Sequence, residues 1–141
     1  MSAQYNPLYL TYADYMSLGG TLEEGEFNPL EFKAETKVNW YTFNRLAKDT
    51  EFDNRVPLCV KAIIEILQRL ENAKNGLNAD GSVSIVKQSN DGVSTDYNTL
   101  SPSETIDKAE KEIAETIEQY LYKVKNKAGK IVLYRGIYAD E

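Results

Sequence analysis

The chain contains no histidine among its 141 residues, and this absence excludes more chemistry than any other feature of its composition. Histidine is the commonest general base, the commonest metal ligand and the usual partner of a serine or cysteine nucleophile. The single cysteine, Cys59, cannot form an internal disulfide, which fits a reducing compartment, and its apolar surroundings predict a small buried side chain. We therefore expect no catalytic residues, no metal site and no cofactor.

Long apolar runs are also missing from the sequence. No stretch reaches the roughly 18 residues of a membrane span, and the N-terminus lacks the basic and apolar regions of a secretory signal. The 22 acidic residues outnumber the 16 basic ones and give a net charge of −6, which disfavours a general nucleic-acid binder. We expect a soluble protein with one domain over residues 1–141, without a membrane partner.

The carboxylates form no catalytic pattern either. Glu31 and Glu35 stand four residues apart on a predicted helix, but no matching pair occurs elsewhere, and a solvated helix face is the favoured interpretation. The sequence also lacks a phosphate-binding glycine loop and a Gly-x-Ser-x-Gly elbow. These absences predict a protein that is not an enzyme.

Helix-start signals divide the first half of the chain. Thr11 with Asp14 predicts an N-cap for a short helix that runs to about Leu18, where two glycines end it. Asn28 followed by Pro29 predicts a second helix over about 29–47, preceded by an acidic loop. Two aromatic residues, Trp40 and Phe43, broaden its apolar face, and helical spacing of this kind indicates core more often than a ligand site.

Two further helices complete the predicted bundle. The most apolar stretch predicts a central helix from about Pro57 to Asn75. A cap at Ser101 with Pro102 predicts the last long helix, ended near 127–129. Its apolar face is predicted to hold Ile106, Ala109, Ile113, Ile117, Tyr120 and Val124. The predicted fold class is mainly α, a small bundle of about four helices with a β-hairpin insertion before the last helix and an extended C-terminal tail.

The predicted hairpin occupies about residues 82–98. The dipeptide Asp91–Gly92 favours a type I′ turn between two alternating runs, and this register pairs Lys87 with Asp96. Its tip is polar, so it is either a surface excursion or an arm that contacts another subunit.

The C-terminal tail, about residues 130–141, contains a β-prone apolar run at a chain end. Free termini fray unless something holds them. The run therefore either packs on its own bundle or adds to a partner.

The order of these features resembles the head-to-tail connector (adaptor) proteins of long-tailed bacteriophages and related prophages. The resemblance rests on "LTYADYMSLGG", "VPLCVKAIIEILQRLENA", "SNDGVSTDY" and "LYRGI", and it spans about residues 9–137. It implies a structural virion protein of the phage neck, assembled in the host cytoplasm. Such a protein forms a ring, usually a dodecamer, under the portal and extends the channel through which double-stranded DNA passes without specific binding.

The resemblance also implies partners and contact residues. The partners are the portal protein, a stopper or tail-completion protein, and further copies of the chain. The tail residues expected at the portal are Ile131, Val132, Leu133, Tyr134, Arg135, Ile137 and Tyr138. The hairpin residues expected at a neighbouring subunit or the stopper are Lys87, Gln88, Asn90, Asp91, Gly92 and Asp96. Trp40 and Phe43 are expected at the ring interface, since a ring requires two different complementary faces. The alternative function is a non-catalytic cytosolic helical module that binds or regulates one partner.

Overall fold

The computed structural model describes residues 6–74 and 102–138, which contain four helices. They are α1 (Tyr12–Ser17), α2 (Glu24–Tyr41), α3 (Arg55–Lys74) and α4 (Pro102–Leu121). The mainly helical fold class is therefore confirmed. The predicted hairpin over 82–98, with all of its named contact residues, lies outside the described residues.

Helix α1 follows the prediction closely. The Thr11 hydroxyl accepts a hydrogen bond from the backbone amide of Asp14 at 3.1 Å, as a helix N-cap should. The helix ends one residue earlier than predicted, and Gly19 takes a left-handed φ of +94° just beyond it.

Helix α2 begins earlier than predicted, because tertiary packing overrides the cap signal at Asn28. Phe27 is completely buried, and its ring lies 4.8 Å from that of Tyr15 and 5.4 Å from that of Tyr12. This packing draws the acidic segment, predicted as a loop, into the first turns of the helix, where carboxylates interact favourably with the helix dipole. Pro29 consequently lies inside α2 rather than at its start.

Helix α2 also ends earlier than the predicted residue 47. Phe43 and Asn44 have φ values of +56° and +59°, which no α-helix accommodates. The turn directs Leu46 into the core and turns Arg45 toward the C-terminal segment. Trp40 and Phe43 are left at the surface, with Trp40 77% exposed, so their predicted place in the core is wrong.

Helix α3 confirms the prediction of a central apolar helix, and eight of its apolar residues are buried. Cys59 is among them and is a free thiol. Burial raises the pKa of this thiol to about 12, so it remains protonated and unreactive at neutral pH.

Helix α4 starts at Pro102 as predicted but ends at Leu121, before the predicted 127–129. Lys123 then takes a φ of +60°, and the chain turns back so that Val124 and Val132 both become buried. The buried ridge of α4 differs from the predicted one in its first turn, where Ile106 is 43% exposed and Thr105 is buried instead. The ridge repeats every four residues through Thr105, Ala109, Ile113, Ile117 and Leu121.

The three long helices α2, α3 and α4 are antiparallel to their sequence neighbours among them. Lys33, in the first half of α2, lies 3.9 Å from Glu71 in the last turn of α3. Arg55, at the start of α3, donates to the carbonyl of Tyr122, just after α4, at 3.3 Å. The bundle therefore has two distinct ends, separated by about 30 Å for helices of 20 residues.

We call these the tail end and the junction end. At the tail end, α2 stops, α3 starts, α4 stops and the C-terminal segment 131–138 lies. At the junction end, α3 stops at Lys74 and α4 starts at Pro102. No helix in the described parts of the chain is long and apolar enough to cross a membrane.

Candidate functional site

Arg45 organises the tail end of the bundle. The backbone amide of Asn44 donates to the carbonyl of Asn39 at 2.9 Å, and that of Arg45 to the carbonyl of Thr42 at 3.0 Å. These bonds hold the left-handed turn after α2. The side chain of Arg45 is 6% exposed and points across the end of the bundle toward the C-terminal segment.

The guanidinium of Arg45 binds the main chain of that segment. Its Nη1 donates to the carbonyls of Ile131 at 3.2 Å and Val132 at 3.3 Å, and also to that of Tyr134. Its Nη2 donates to the carbonyl of Gly136 at 2.7 Å. Charge-assisted bonds of this kind are stronger than neutral ones, so one side chain fixes the course of residues 131–136.

Three aromatic rings enclose the same guanidinium. Its central carbon lies 5.0 Å from the ring centroid of Phe43, 4.9 Å from that of Tyr138 and 5.7 Å from that of Tyr134. A cation over an aromatic face is stabilised by the ring quadrupole, by about 0.5–2 kcal/mol for each contact. We call Arg45 and Phe43, with the turn that carries them, the Arg45 cradle.

Further bonds brace the segment beside the cradle. The side-chain amide of Asn126 donates to the carbonyl of Arg45 at 3.0 Å, and its oxygen accepts from the amide of Lys130 at 2.9 Å. The Tyr138 hydroxyl accepts from the amide of Ile131 at 2.9 Å, which closes the segment on itself. Lys125 and Ile131 form an isolated antiparallel β-bridge at its base.

In the isolated chain residues 131–138 pack on their own bundle, which is the first of the two alternatives expected for this run; binding to a partner stays a prediction. Val132 is buried, and Leu133 and Tyr138 are partly buried. Ile131, Tyr134, Arg135 and Ile137 are exposed, with Ile137 at 83%. The main chain of the segment is therefore bound to the fold, while these four side chains expose surface to solvent, Tyr134 on the side of its ring away from Arg45.

An aromatic groove of about 820 Å³ lies next to the cradle. We define it by Trp40, Phe43, Tyr122 and Leu133, with Glu118 and Arg135 among its polar lining residues. It brings both predicted ring-interface residues together with two residues of the predicted portal-binding tail. The sequence did not indicate this proximity, because α2 and the C-terminal segment are far apart along the chain.

The aromatic surface continues along the outer face of α2. Phe32, Thr36 and Trp40 follow each other at intervals of four residues, and all three are exposed. Aromatic side chains bury about 150–250 Å² each, so the exposed parts of Phe32, Trp40 and Phe43 offer roughly 350–400 Å². An apolar surface of this size is within the range of the largest patch on an ordinary monomer, which is often functional.

The inner face of α2 corrects the prediction for Glu31. Its side chain is completely buried rather than solvated, and Glu35 is partly buried and accepts from the amide of Leu8 at 3.0 Å. Tyr9 packs nearby and donates its hydroxyl proton to the side-chain oxygen of Asn39. Burial, and then the carboxylates of Glu35, Asp49 and Glu31, raise the pKa of the Tyr9 phenol above its ordinary value.

The tail end combines a partnered cation with an aromatic surface. Arg45 is engaged by carbonyls and rings, and the groove walls are aromatic. Across residues 6–74 and 102–138, no three potential metal-ligating side chains of His, Cys, Asp or Glu come together.

Arg45 is the residue that the sequence interpretation missed. Its acceptors lie between 86 and 91 residues further along the chain, so no local pattern could indicate them. The periodicity of α2 placed it on a continuing helix instead.

Comparison with known proteins gives no relative, since neither a family model, a curated protein nor a solved structure matches this chain.

Proposed function

We propose that this chain is a non-catalytic connector subunit of a bacteriophage neck. It would form a ring under the portal, join the DNA-filled head to a stopper or tail-completion protein, and continue the DNA channel. The observation that carries this proposal is the apolar surface that Trp40, Phe43 and Ile137 expose at one end of the bundle. A connector also needs a second contact surface, and a bundle about 30 Å long would keep the two apart.

The tail end supplies the proposed portal contact. Tyr134 and Ile137 expose apolar surface on a segment whose main chain is already fixed by Arg45. Binding through a fixed segment loses less conformational entropy than binding through a free terminus. This supports the role expected for residues 131–138, with the side chains rather than the main chain as the recognised part.

The outer face of α2 supplies one side of the proposed ring interface. A standard interface buries about 800 Å² on each partner, and the exposed aromatic surface of α2 offers about half of that. Trp40 is the strongest single contributor, because Trp is enriched among residues that dominate binding energy.

The net charge of −6 is consistent with a subunit that lines a channel through which DNA slides. Affinity for duplex DNA comes mainly from cations that neutralise phosphates, and an acidic subunit offers few of them. We propose that DNA passes through the ring without specific binding, and that the subunit is made in the host cytoplasm and ends in the virion neck.

Co-expression with the portal protein of the same genome tests the proposal, and a genome without a portal gene contradicts it. We expect co-purification, and rings on the portal by electron microscopy. Trp40→Ser should abolish the rings, and Ile137→Ser should reduce portal binding by about tenfold or more, because each removes exposed apolar surface. Lys74→Ser, exposed at the junction end, is the matched control and should change neither result.

The proposal fails if the portal does not retain the wild-type chain. It also fails if both tail-end variants bind the portal and form rings as the wild type does.

The second candidate, a cytosolic binding or regulatory module, is favoured by the aromatic groove alone. A groove lined by Trp40, Phe43 and Tyr122 suits an apolar peptide of a partner. Purification from cells without portal would then recover a stoichiometric host protein, and Trp40→Ser would release it.

A further inference from the structure

The contact between Arg45 and the C-terminal segment has a property that matters for assembly. Arg45 donates hydrogen bonds to the carbonyl oxygens of Ile131, Val132, Tyr134 and Gly136. Every copy of the chain carries the same four carbonyls. Nothing in these bonds requires donor and acceptors to belong to one molecule. The cradle is chemically a peptide-binding site that its own chain occupies.

The segment is joined to the bundle by a single tight turn. The amide of Gly129 donates to the carbonyl of Asn126 at 2.9 Å, and Gly129 has a φ of +84°. Glycine adopts this region without strain, so the direction of the chain can change here at low cost. The hinge residues 126–130 would span about 16 Å if extended, enough to reach the cradle of a bundle in direct contact with this one.

We propose that the Arg45 cradle also accepts residues 131–138 of a second copy, so that neighbouring subunits exchange their C-terminal segments. Exchange of an identical element re-forms the contacts of the segment on the neighbouring copy and breaks only the hydrogen bonds of the hinge turn, between Asn126 and Gly129 or Lys130. This inference goes beyond the connector proposal, since it concerns the purified chain and needs no portal.

A second copy is a better occupant than an unrelated peptide because the segment carries a matched set of groups. Val132 fills a buried position, and the rings of Tyr134 and Tyr138 lie 4.9 Å apart and flank the guanidinium. The Tyr138 hydroxyl also binds the amide of Ile131 and so holds the segment in its bound shape. A peptide without these groups would offer only its carbonyls.

Cross-linking between two full-length variants tests the exchange. Lys48 and Ile137 are both exposed and line one cleft beside the cradle, so one chain carries Lys48→Cys and the other Ile137→Cys. Cys59 is buried and does not compete. The mixture is treated with a short bismaleimide, and the mixed covalent dimer is identified by its intact mass.

We expect a mixed dimer whose yield rises with protein concentration, because exchange competes with an intramolecular contact. Arg45→Met in the Lys48→Cys chain should lower the yield by about tenfold, since it removes the charged donor. A chain carrying both cysteines is the positive control for the length of the linker. Lys74→Cys, at the junction end, replaces Lys48→Cys in the negative control.

A mixed-dimer yield no higher than that of the Lys74→Cys control overturns the exchange. A yield unchanged by Arg45→Met also overturns it, because dimers would then form elsewhere. If Arg45→Met is too unstable to test, Arg45→Lys keeps the charge but loses the planar fork, and it should lower the yield less.

Discussion

Replacement of Arg45 by methionine is the most informative perturbation of the fold. Methionine keeps much of the apolar stem and removes the guanidinium, so the change removes its bonds to the C-terminal segment together with its contacts to the rings of Phe43, Tyr134 and Tyr138. A hydrogen bond to a charged group contributes about 1.5–3 kcal/mol. The four bonds cannot simply be added, because the released carbonyls would bind water.

The expected destabilisation is therefore about 3 kcal/mol, equivalent to one or two charge-assisted hydrogen bonds. For a chain of this length, about 3–4 °C is lost for each kcal/mol, so the melting temperature should fall by about 10 °C. Thermal unfolding followed by circular dichroism measures this shift. Hydrogen exchange at residues 131–138 should accelerate in parallel, because the segment loses its anchor.

Arg135→Met is the matched control, since Arg135 is exposed and the same substitution there should change stability by less than about 0.5 kcal/mol. Equal melting temperatures for the two variants would refute the reasoning. So would unchanged exchange at residues 131–138 in Arg45→Met, because the segment would then be held by other contacts.

Three further predictions concern the bundle. Ile113→Ala should lower the free energy of unfolding, measured in urea, by about 3 kcal/mol, because Ile113 is buried. Ile106→Ala, at an exposed position, should lower it by less than about 1 kcal/mol. Similar losses for the two variants would contradict the observed ridge of α4. Gly25→Ala should stabilise the chain by about 0.5–1 kcal/mol in the same assay, because a Cβ at this helical position meets no neighbouring atom, and a loss would show that α2 does not include it. The Cys59 thiol should not react with a thiol reagent at pH 8 until urea unfolds the chain, since burial raises its pKa to about 12; rapid reaction in the native state would show that it is accessible.

The parts of the fold that local signals decide were predictable from the sequence. The cap at Thr11, the start of α4 at Pro102 and the apolar α3 all depend on residues within a few positions of each other. The start of α2 was not predictable in this way, because Phe27 is drawn into a helix by Tyr12 and Tyr15, more than ten residues earlier. Long-range packing here outweighed the Asn28–Pro29 start signal.

The candidate site was predictable only in its components. The apolar run at 131–134 and the aromatic pair Trp40 and Phe43 stand out in the sequence, but their proximity does not. This proximity depends on Arg45. The left-handed backbone conformation of Asn44, just before Arg45, interrupts a helical pattern that would otherwise continue. A turn that depends on contacts more than 80 residues away leaves no periodic signal.

In the C-terminal segment, main-chain carbonyls hold the segment on the bundle, and exposed side chains are left for recognition by a partner. Because Arg45 binds carbonyls, the outward side chain of Ile137 contributes little to holding the segment and remains available to a partner, whereas the half-exposed ring of Tyr134 also contacts the guanidinium. The same carbonyls are presented whether the segment lies on its own bundle or on a neighbouring one. A chain built in this way can therefore exchange the anchor between subunits while keeping an unchanged apolar surface at the tail end.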